Sequence, residues 1–523
     1  MAMEECDVLI AGGGCGGVAA ALAAVRLGSR VVLTEGTRWV GGQLTSQAVP
    51  PDEHPWVETT GVTRSYRELR ERVRRHYRQT RPLTEAALAE TAFNPGQAWV
   101  SSLSGEPPVF LHEVSEMLTP WQRSGQLRIL TQVAPVAAEV DGDVVRAVTF
   151  GGLGGDSWTV SAPIVLDATE EGDLLPLTGC EHLVGAESAR ETGELHAPER
   201  ADPNNQQAVT WCCALEARPG EEHVIDRPHS YDFWRSYQAP HWPGPQLGWA
   251  TAEPETGRPL VRPLFDPEQQ GLWTFRRIRY AGHYRSPDVT DVTLVNWPQI
   301  DYWLSPLLGV AADQGERARQ SARDLSLSFV HWLQAEAPRP DGGAGYPWLR
   351  LCPDILGTAD GLAEMPYIRE SRRILSVFRV VEQHVGVTAR PGADRAEDFP
   401  DTVGVGCYRI DLHPSTSGHG YLDIPTYPFQ IPLGALLPSR VENLVAAGKA
   451  LGVTHITNGC FRLHPVEWNV GESAGALAAF SMSRGVPPRA VRERPILLAE
   501  FQSVLGSLGV QLHWPSHIQT TRR

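Results

Sequence analysis

Asp7-Val8-Leu9-Ile10-Ala11-Gly12-Gly13-Gly14-Cys15-Gly16-Gly17 is the stretch on which the fold turns. Its apolar start suits a buried parallel strand, and a GxGxxG pattern follows at once with Gly12, Gly14 and Gly17 in register. Val18 to Leu27 is rich in Ala and Leu and free of Pro and Gly, so it is predicted helical, with Gly28 as its C-cap. A second apolar strand, Arg30 to Thr34, ends in Glu35. Each part has a physical use: Gly12 permits the tight turn, Gly14 lets backbone approach a pyrophosphate, and Gly17 lets helix and strand pack closely. The helix N-terminus offers N–H groups to phosphate, and Glu35 is placed to accept hydrogen bonds from a ribose. A glycine-rich loop alone is weak; set between strand and helix, with an acid closing the second strand, it predicts a dinucleotide site.

The rest of the composition bounds what such a site can belong to. The chain has 523 residues, 61 Asp+Glu against 46 Lys+Arg, and a formal charge of −15. At ~100–200 residues per domain this length allows about two to four domains with real cores. The acidic balance argues against nucleic acid or an anionic membrane as partner, since both require a basic surface. Eight cysteines are scattered without a CxxC pair, which argues against a zinc knuckle or a disulfide framework. Met1 to Cys6 is acidic and runs straight into a strand without a leader pattern, and no apolar run reaches the ~18 residues of a membrane span. The expected setting is cytoplasmic and soluble, with a small-molecule substrate, and a homo-oligomer is left open. Lys449 is the only lysine, so the remaining basic residues are all arginine. Coding bias explains the arginines without explaining where the single ammonium lies.

After Glu35 the chain reads Gly36-Thr37-Arg38-Trp39-Val40-Gly41-Gly42-Gln43-Leu44-Thr45-Ser46-Gln47. This resembles the extended FAD fingerprint of the fumarate-reductase and D-amino-acid-oxidase superfamily, and more narrowly a bacterial family of FAD-dependent oxidoreductases. The resemblance extends through Asp167 to Asp173, Asn296 to Gln299, Tyr367 to Arg373 and Thr454 to Trp468. It implies FAD as cofactor, with Gly12, Gly14, Cys15, Gly16, Gly17, Glu35, Gly36, Gly42, Gln43, Ser46, Val133, Ala168, Thr169, Asp173, Gly448, Lys449, His464, Glu467 and Trp468 as cofactor-binding candidates. By composition alone Asp167 and Thr169 are equally ordinary turn formers. By the same resemblance the strand Val441 to Gly448 and the helix from Pro465 cross beneath the flavin, the helix dipole facing the reduced ring.

The expected architecture is α/β: a Rossmann-like FAD-binding domain with a parallel sheet and a β-meander, discontinuous in sequence, plus a mixed α+β substrate domain. The FAD-binding core is drawn at 1–60, 127–180 and 436–485, a helical insertion at 61–126, the substrate domain at 181–435 and a C-terminal appendage at 486–523. Leu127 to Val165 reads as the meander. Helices are expected over Arg64 to Arg78, Val109 to Trp121 and Ala311 to Ala335. The 180–400 stretch is rich in tryptophan, which at helical spacing is more often core than binding platform.

For chemistry, no second GxGxxG in a strand–helix context and no CxxxxC occurs, so a built-in NAD(P)H domain and a disulfide-reductase reading are disfavoured. The catalytic candidates are His413, His419, Arg369 and His455. His413 and His419 sit in a polar loop that is either a base-bearing segment or a solvated turn. Arg369, Arg372 and Arg373 would share one face of a helix, suited to a carboxylate or to nothing more than an ion-pair lattice. No metal site is expected, because no ligand-like spacing accompanies either loop histidine. The expected activity is hydride removal from a C–O or C–N carbon of a polar small molecule. The alternatives are a reductase or hydroxylase with an external donor, and a non-catalytic flavin-binding subunit.

Overall fold

The computed structural model of the chain describes residues 3–266, 268 and 270–518. Met1 and Ala2 of the acidic N-terminal stretch, and residues 519–523 of the C-terminal appendage, lie outside the described residues. Strand β1 (Val8–Ala11) passes through the glycine turn into helix α1 (Cys15–Arg26), and the chain returns as β2 (Val31–Glu35). Every residue of α1 but Arg26 is buried, which its Ala-rich composition allows by keeping neighbours close on all sides. Helices α2 (Arg64–Thr80) and α3 (Pro107–Arg123) follow, and Thr63 caps α2 by accepting from the Tyr66 N–H. Next come β3 (Leu127–Thr131), the antiparallel ribbon β4 (Val133–Asp141), β5 (Val144–Gly152) and β6 (Ser157–Ser161), and then β7 (Ile164–Asp167).

A second unit is built on β8 (Cys213–Ala217), β9 (Arg277–Arg279) and β10 (Val292–Val295), helix α4 (Ala312–Ala335) and β11 (Leu349–Leu351). Its antiparallel sheet has the order β9-β10-β8-β11. The chain then returns through β12 (Leu444–Ala446), α5 (His455–Phe461), α6 (His464–Arg484) and α7 (Pro495–Leu508). The parallel sheet has the order β12-β7-β1-β2-β3, so its central strands come from the first 170 residues and one edge from the last 80.

Two apolar cores divide the molecule. The first gathers the parallel sheet, α1, α2, α3 and α6 with residues such as Val380, Val403 and Ile431, and includes Phe501 and Leu505 of α7. The second runs from Val209 to Ile368, joined by Ala48 and Val49. Trp211, Trp234, Trp273, Trp297 and Trp332 are packed within it, while Trp242 and Trp303 form a small third cluster. The tryptophans of this region are thus chiefly core.

Two local expectations fail for identifiable reasons. Leu127 to Leu130 does not belong to the meander: the turn after α3 lays the chain along the free edge of β2, where the Val31 N–H donates to Gln126 O at 2.8 Å, and β3 pairs in parallel with β2. Arg369, Arg372 and Arg373 do not share a helix face. Residues 369–372 form no regular element, and Arg373–Ile374 pairs as a short strand with His182–Leu183. Extended backbone sends Arg369 to Asp301 and Arg373 to Glu187 and Glu370, separate buried carboxylates that one helix face would not reach together.

The first core closes where α6 crosses α1. A Cβ on Gly471 would lie 1.9 Å from Gly16 O, and one on Gly475 would lie 2.1 Å from Ala20 O. Both contacts are with backbone, which cannot swing away. Gly475→Ala should therefore destabilise by ~1–3 kcal/mol through overpacking. Gly506→Ala is the control: this α7 glycine has nothing within 4 Å, so added helix propensity should stabilise by ~0.5–1 kcal/mol. Thermal melts of the two variants should shift in opposite directions.

Candidate functional site

The glycine turn is shaped by the strands that flank it. Gly12 has φ of +95°, and a Cβ there would lie 2.3 Å from Ala168 O, just beyond β7. A Cβ on Gly17 would meet Gly12 O at 1.9 Å, and one on Gly16 would meet Ala447 O at 2.0 Å. Gly14 differs, because a Cβ there meets only side-chain ends, Glu170 Oε1 at 2.6 Å and Glu467 Oε1 at 3.6 Å. Gly42 faces the same Glu170 oxygen across the turn. Among the described residues neither Glu170 Oε1 nor Gln43 Oε1 has a hydrogen-bond partner, although both atoms are buried. The turn thus opens onto a cradle of mobile side-chain tips, with acceptors that a ligand's hydroxyl groups could satisfy. α1 has no acidic residue of its own in its first turn and no cap from Gly14, and the carboxylate that meets its N-terminus, at Gly16 N, is Glu467 from α6.

Glu35 closes β2 from within. It accepts from Gly13 N at 2.8 Å, Thr37 N at 2.8 Å and Thr37 Oγ1 at 2.7 Å. Burial outweighs these three bonds and pushes its carboxyl up to about 7. Cys15 beside it is a buried thiol that donates to Gly41 O, with its pKa driven well above the ordinary value by burial.

Lys449 lies beneath the same turn, fully enclosed. Its ammonium pairs with Glu170, donates to Ile368 O at 2.8 Å, and lies 4.0 Å from Glu467 Oε2. Burial alone would lower the lysine pKa, but Glu170 and Glu467 more than offset it and the net shift is upward. Burial raises Glu467 against the pull of Lys449; Glu467 also accepts from Gly16 N at 3.3 Å and from the Gln43 amide. Gln43 donates again to Arg462 O at 3.0 Å, at the end of α5.

A separate cavity of about 660 Å³ is lined from both cores by residues that include Asp52, Trp99, Arg276, Gln299, Tyr408 and His413. His413 follows a short strand, Ile410–Leu412, hairpin-paired with Leu422–Ile424. Its Nδ1 lies 2.6 Å from Asp301 Oδ2, and its Nε2 is 3.7 Å from Asp411 Oδ2. Asp301 is anchored in turn by Arg369 Nη2 at 3.2 Å and by the Thr210 hydroxyl. Burial tends to raise Asp301, but Arg369 and His413 outweigh it and hold the carboxyl below its ordinary range. His413 is lowered by burial and by Arg369, against the opposing pull of Asp301. Burial and Arg369 thus favour the neutral imidazole, in which Nδ1, paired with Asp301, is the nitrogen suited to keep the proton.

The other expected residues are distributed unevenly. His419 is exposed at the hairpin tip and is not among the cavity's lining residues; the loop's buried part is Pro414 and Ser415 instead. Arg369 is buried behind Asp301, bonded to Ala208 O and Thr210 Oγ1, and does not line the cavity. His455 does not line it either, since its Nδ1 is held 3.0 Å from Glu370, whose carboxyl His455 and Arg373 hold down at about 2 against the upward push of burial. His464 accepts from Asp52 N at 3.1 Å and reaches Val49 O at 3.2 Å, so backbone uses both ring nitrogens. Trp468 donates to Ser65 Oγ at 2.7 Å. Ser46 lies 3.5 Å from Gly42 O, and Thr169 bonds Asp167 and receives the Asp173 N–H at 2.7 Å. Val133 is buried at the start of β4, Gly36 is exposed after β2, and Gly448 lies close to Ala168. Asp301 escaped the sequence reading: it is 112 residues from His413 and no local pattern marks it.

The chain matches the family described as FAD dependent oxidoreductase over residues 7–505. No curated protein matches it. Among solved structures it is similar to L-proline dehydrogenase from P. horikoshii at 15% identity and a TM-score of 0.19, over 35% of this chain and 25% of that one. It is similar to p-nitrophenol 4-monooxygenase PnpA from Pseudomonas putida at 12% identity and a TM-score of 0.38, over 97% and 89% of the two chains. Quinol fumarate reductase FrdA from E. coli aligns at 10% identity and a TM-score of 0.34, over 97% of this chain and 74% of that one. The chain thus spans only a quarter of the proline dehydrogenase's length. The strand–turn–helix cradle suits a dinucleotide, and the family match covers nearly the whole chain: it belongs to the FAD dependent oxidoreductase family, with FAD as its cofactor.

Proposed function

We propose that this oxidoreductase removes a hydride from a carbon bonded to oxygen or nitrogen in a polar small molecule, with His413 accepting the accompanying proton. The observation that carries this reading is the buried Arg369–Asp301–His413 chain, which ends at the wall of the 660 Å³ cavity. FAD, when bound, supplies the hydride acceptor. In the cradle, Gly12, Gly14, Gly16 and Gly17 with the start of α1 would hold its pyrophosphate and Glu35 its ribose. Gly42, Gln43 and Lys449 would meet the segment leading toward the flavin.

The chain's own part in the reaction is orientation and proton movement. Asp301 fixes the Nδ1–H tautomer, so Nε2 takes the proton from the substrate O–H or N–H as the adjacent C–H bond breaks. The resulting imidazolium is stabilised by the same carboxylate. Arg369 touches no cavity space and acts through Asp301, as a positioning residue. Arg276 holds Asp52 bidentately at 3.0 and 3.1 Å on the cavity wall, which leaves hydroxyl, amide and aromatic groups as well as charge to meet a polar substrate.

Anaerobic screening of metabolite pools for bleaching of the bound flavin tests the reading. A pool that bleaches the parent should bleach His413→Ala ~10²–10⁴-fold more slowly; equal rates would remove His413 from the mechanism. Because its pKa is depressed, the parent rate should stay level from pH 8 down to about 6.5 and fall only below that. In the cradle, Lys449→Met leaves Glu170 and Glu467 without their counter-ion, an expected loss of ~3–5 kcal/mol. Lys449→Arg keeps the charge but not the compact shape, and should weaken FAD retention in equilibrium dialysis.

A further inference from the structure

On the outer side of the molecule, away from cradle and cavity, α2 and α3 bring together two histidines and a glutamate. His76 comes from α2, and His112 and Glu113 are neighbours on α3. Their ligand atoms all lie within 4.8 Å of one another. His76 Nδ1 is 3.0 Å from Glu113 Oε1, and His112 Nε2 is 3.9 Å from the same oxygen. The two imidazoles stand edge to face with centroids 5.0 Å apart, so neither ring blocks the other's nitrogen.

We propose that this trio is a binding site for a divalent transition-metal ion of the zinc type, with water as fourth ligand. Imidazole nitrogen and carboxylate oxygen are the donors such ions take, at about 2.0–2.2 Å from the metal. Tetrahedral ligands at that range stand about 3.3 Å from each other, and the 3.0 and 3.9 Å separations from Glu113 Oε1 bracket that value, with all three ligand atoms within 4.8 Å. The chemistry of the surroundings agrees. Glu113 is mostly buried, which restricts its rotamers and preorganises the carboxylate. Arg72 approaches the other oxygen, Oε2, at 3.9 Å and commits its Nε to Glu68 at 2.9 Å, leaving Oε1 to the histidines. His112 is exposed and gives an ion its entry path.

Such an ion would staple α2 to α3. The staple matters because α2 also carries Arg70 and Arg74, which pair with Glu53 and Glu58 on the cavity wall. A metal at the outer seam would fix the register of a helix whose inner face braces the substrate cavity.

The full-length, FAD-loaded protein, stripped with EDTA, is titrated with Zn²⁺ by calorimetry and checked by dialysis and metal analysis. One equivalent should bind to the parent, and binding should weaken by at least ~10-fold in both His76→Gln and His112→Ala. Zn²⁺ should raise the melting temperature of the parent and raise that of both variants by clearly less at the same concentration. His112 is exposed, so its variant should fold normally, which circular dichroism verifies. Binding well below one equivalent, or parent-like affinity in His112→Ala, would overturn the proposal.

Discussion

Two helices that meet without side chains between them set the rest of this structure. Gly471 lies on Gly16 and Gly475 on Ala20, so α6 and α1 touch through backbone at two successive turns. That contact joins residues 15–26 to residues 464–484, and the parallel sheet repeats the union by placing β12 beside β7. Loop-closure entropy grows only slowly with chain length, so more than 400 intervening residues do not forbid such closure. They must, however, fold out of the way, and the second core does this with a sheet and α4 of its own. The dinucleotide cradle is a consequence of the helix crossing: only because α6 starts there does Glu467 reach Gly16.

The same crossing creates an electrostatic problem that Lys449 answers. Glu170 and Glu467 both point into the cradle, where a cofactor pyrophosphate would add further negative charge. One ammonium beneath the turn pairs with Glu170 and partly offsets Glu467, and Ile368 O takes one of its donors. Lys449, Arg369 and Arg462 then surround the Tyr367 ring at 5.9, 4.8 and 5.8 Å. An electron-rich ring face between like charges softens their repulsion and returns cation–π attraction. Arginine could not replace the lysine at its vertex, since a planar fork would need room on both sides where backbone and carboxylates already lie.

Much of the first core was legible because its signals are local. The strand, glycine turn, helix and closing acid occupy Asp7 to Glu35 as consecutive residues, and the main helices were found within a few residues of their ends. The site's cavity was less legible because its groups meet through tertiary contact. His413 stood out as a histidine in a polar loop, but Asp301 is separated from it by 112 residues and sits at the end of a short, irregular segment. The arginines at 369, 372 and 373 looked helical by spacing; buried carboxylates in different places drew them into extended backbone instead. His419, of the same residue type and loop as His413, ends at an exposed hairpin tip. Composition cannot distinguish two histidines six residues apart when only one turns inward.

The seam between the two cores explains why these groups converge there. Asp52 donates its N–H to His464 at the start of α6 while its carboxylate grips Arg276 beside β9, so one residue ties the cofactor-binding unit to the second core. His413 makes the reciprocal tie: it follows Ile410 and Leu412 of the first core and bonds Asp301, which lies between Ile300 and Tyr302 of the second and is held there by Arg369. Both connections centre on a buried carboxylate, and a buried charge deprived of its partner is costly. A relative shift of the cores would break Asp52 from Arg276 and His413 from Asp301 together. The positions of the glycine cradle and of His413 at the cavity wall are therefore set by the same pair of contacts, so the spacing between them is a property of the interface rather than of either core alone.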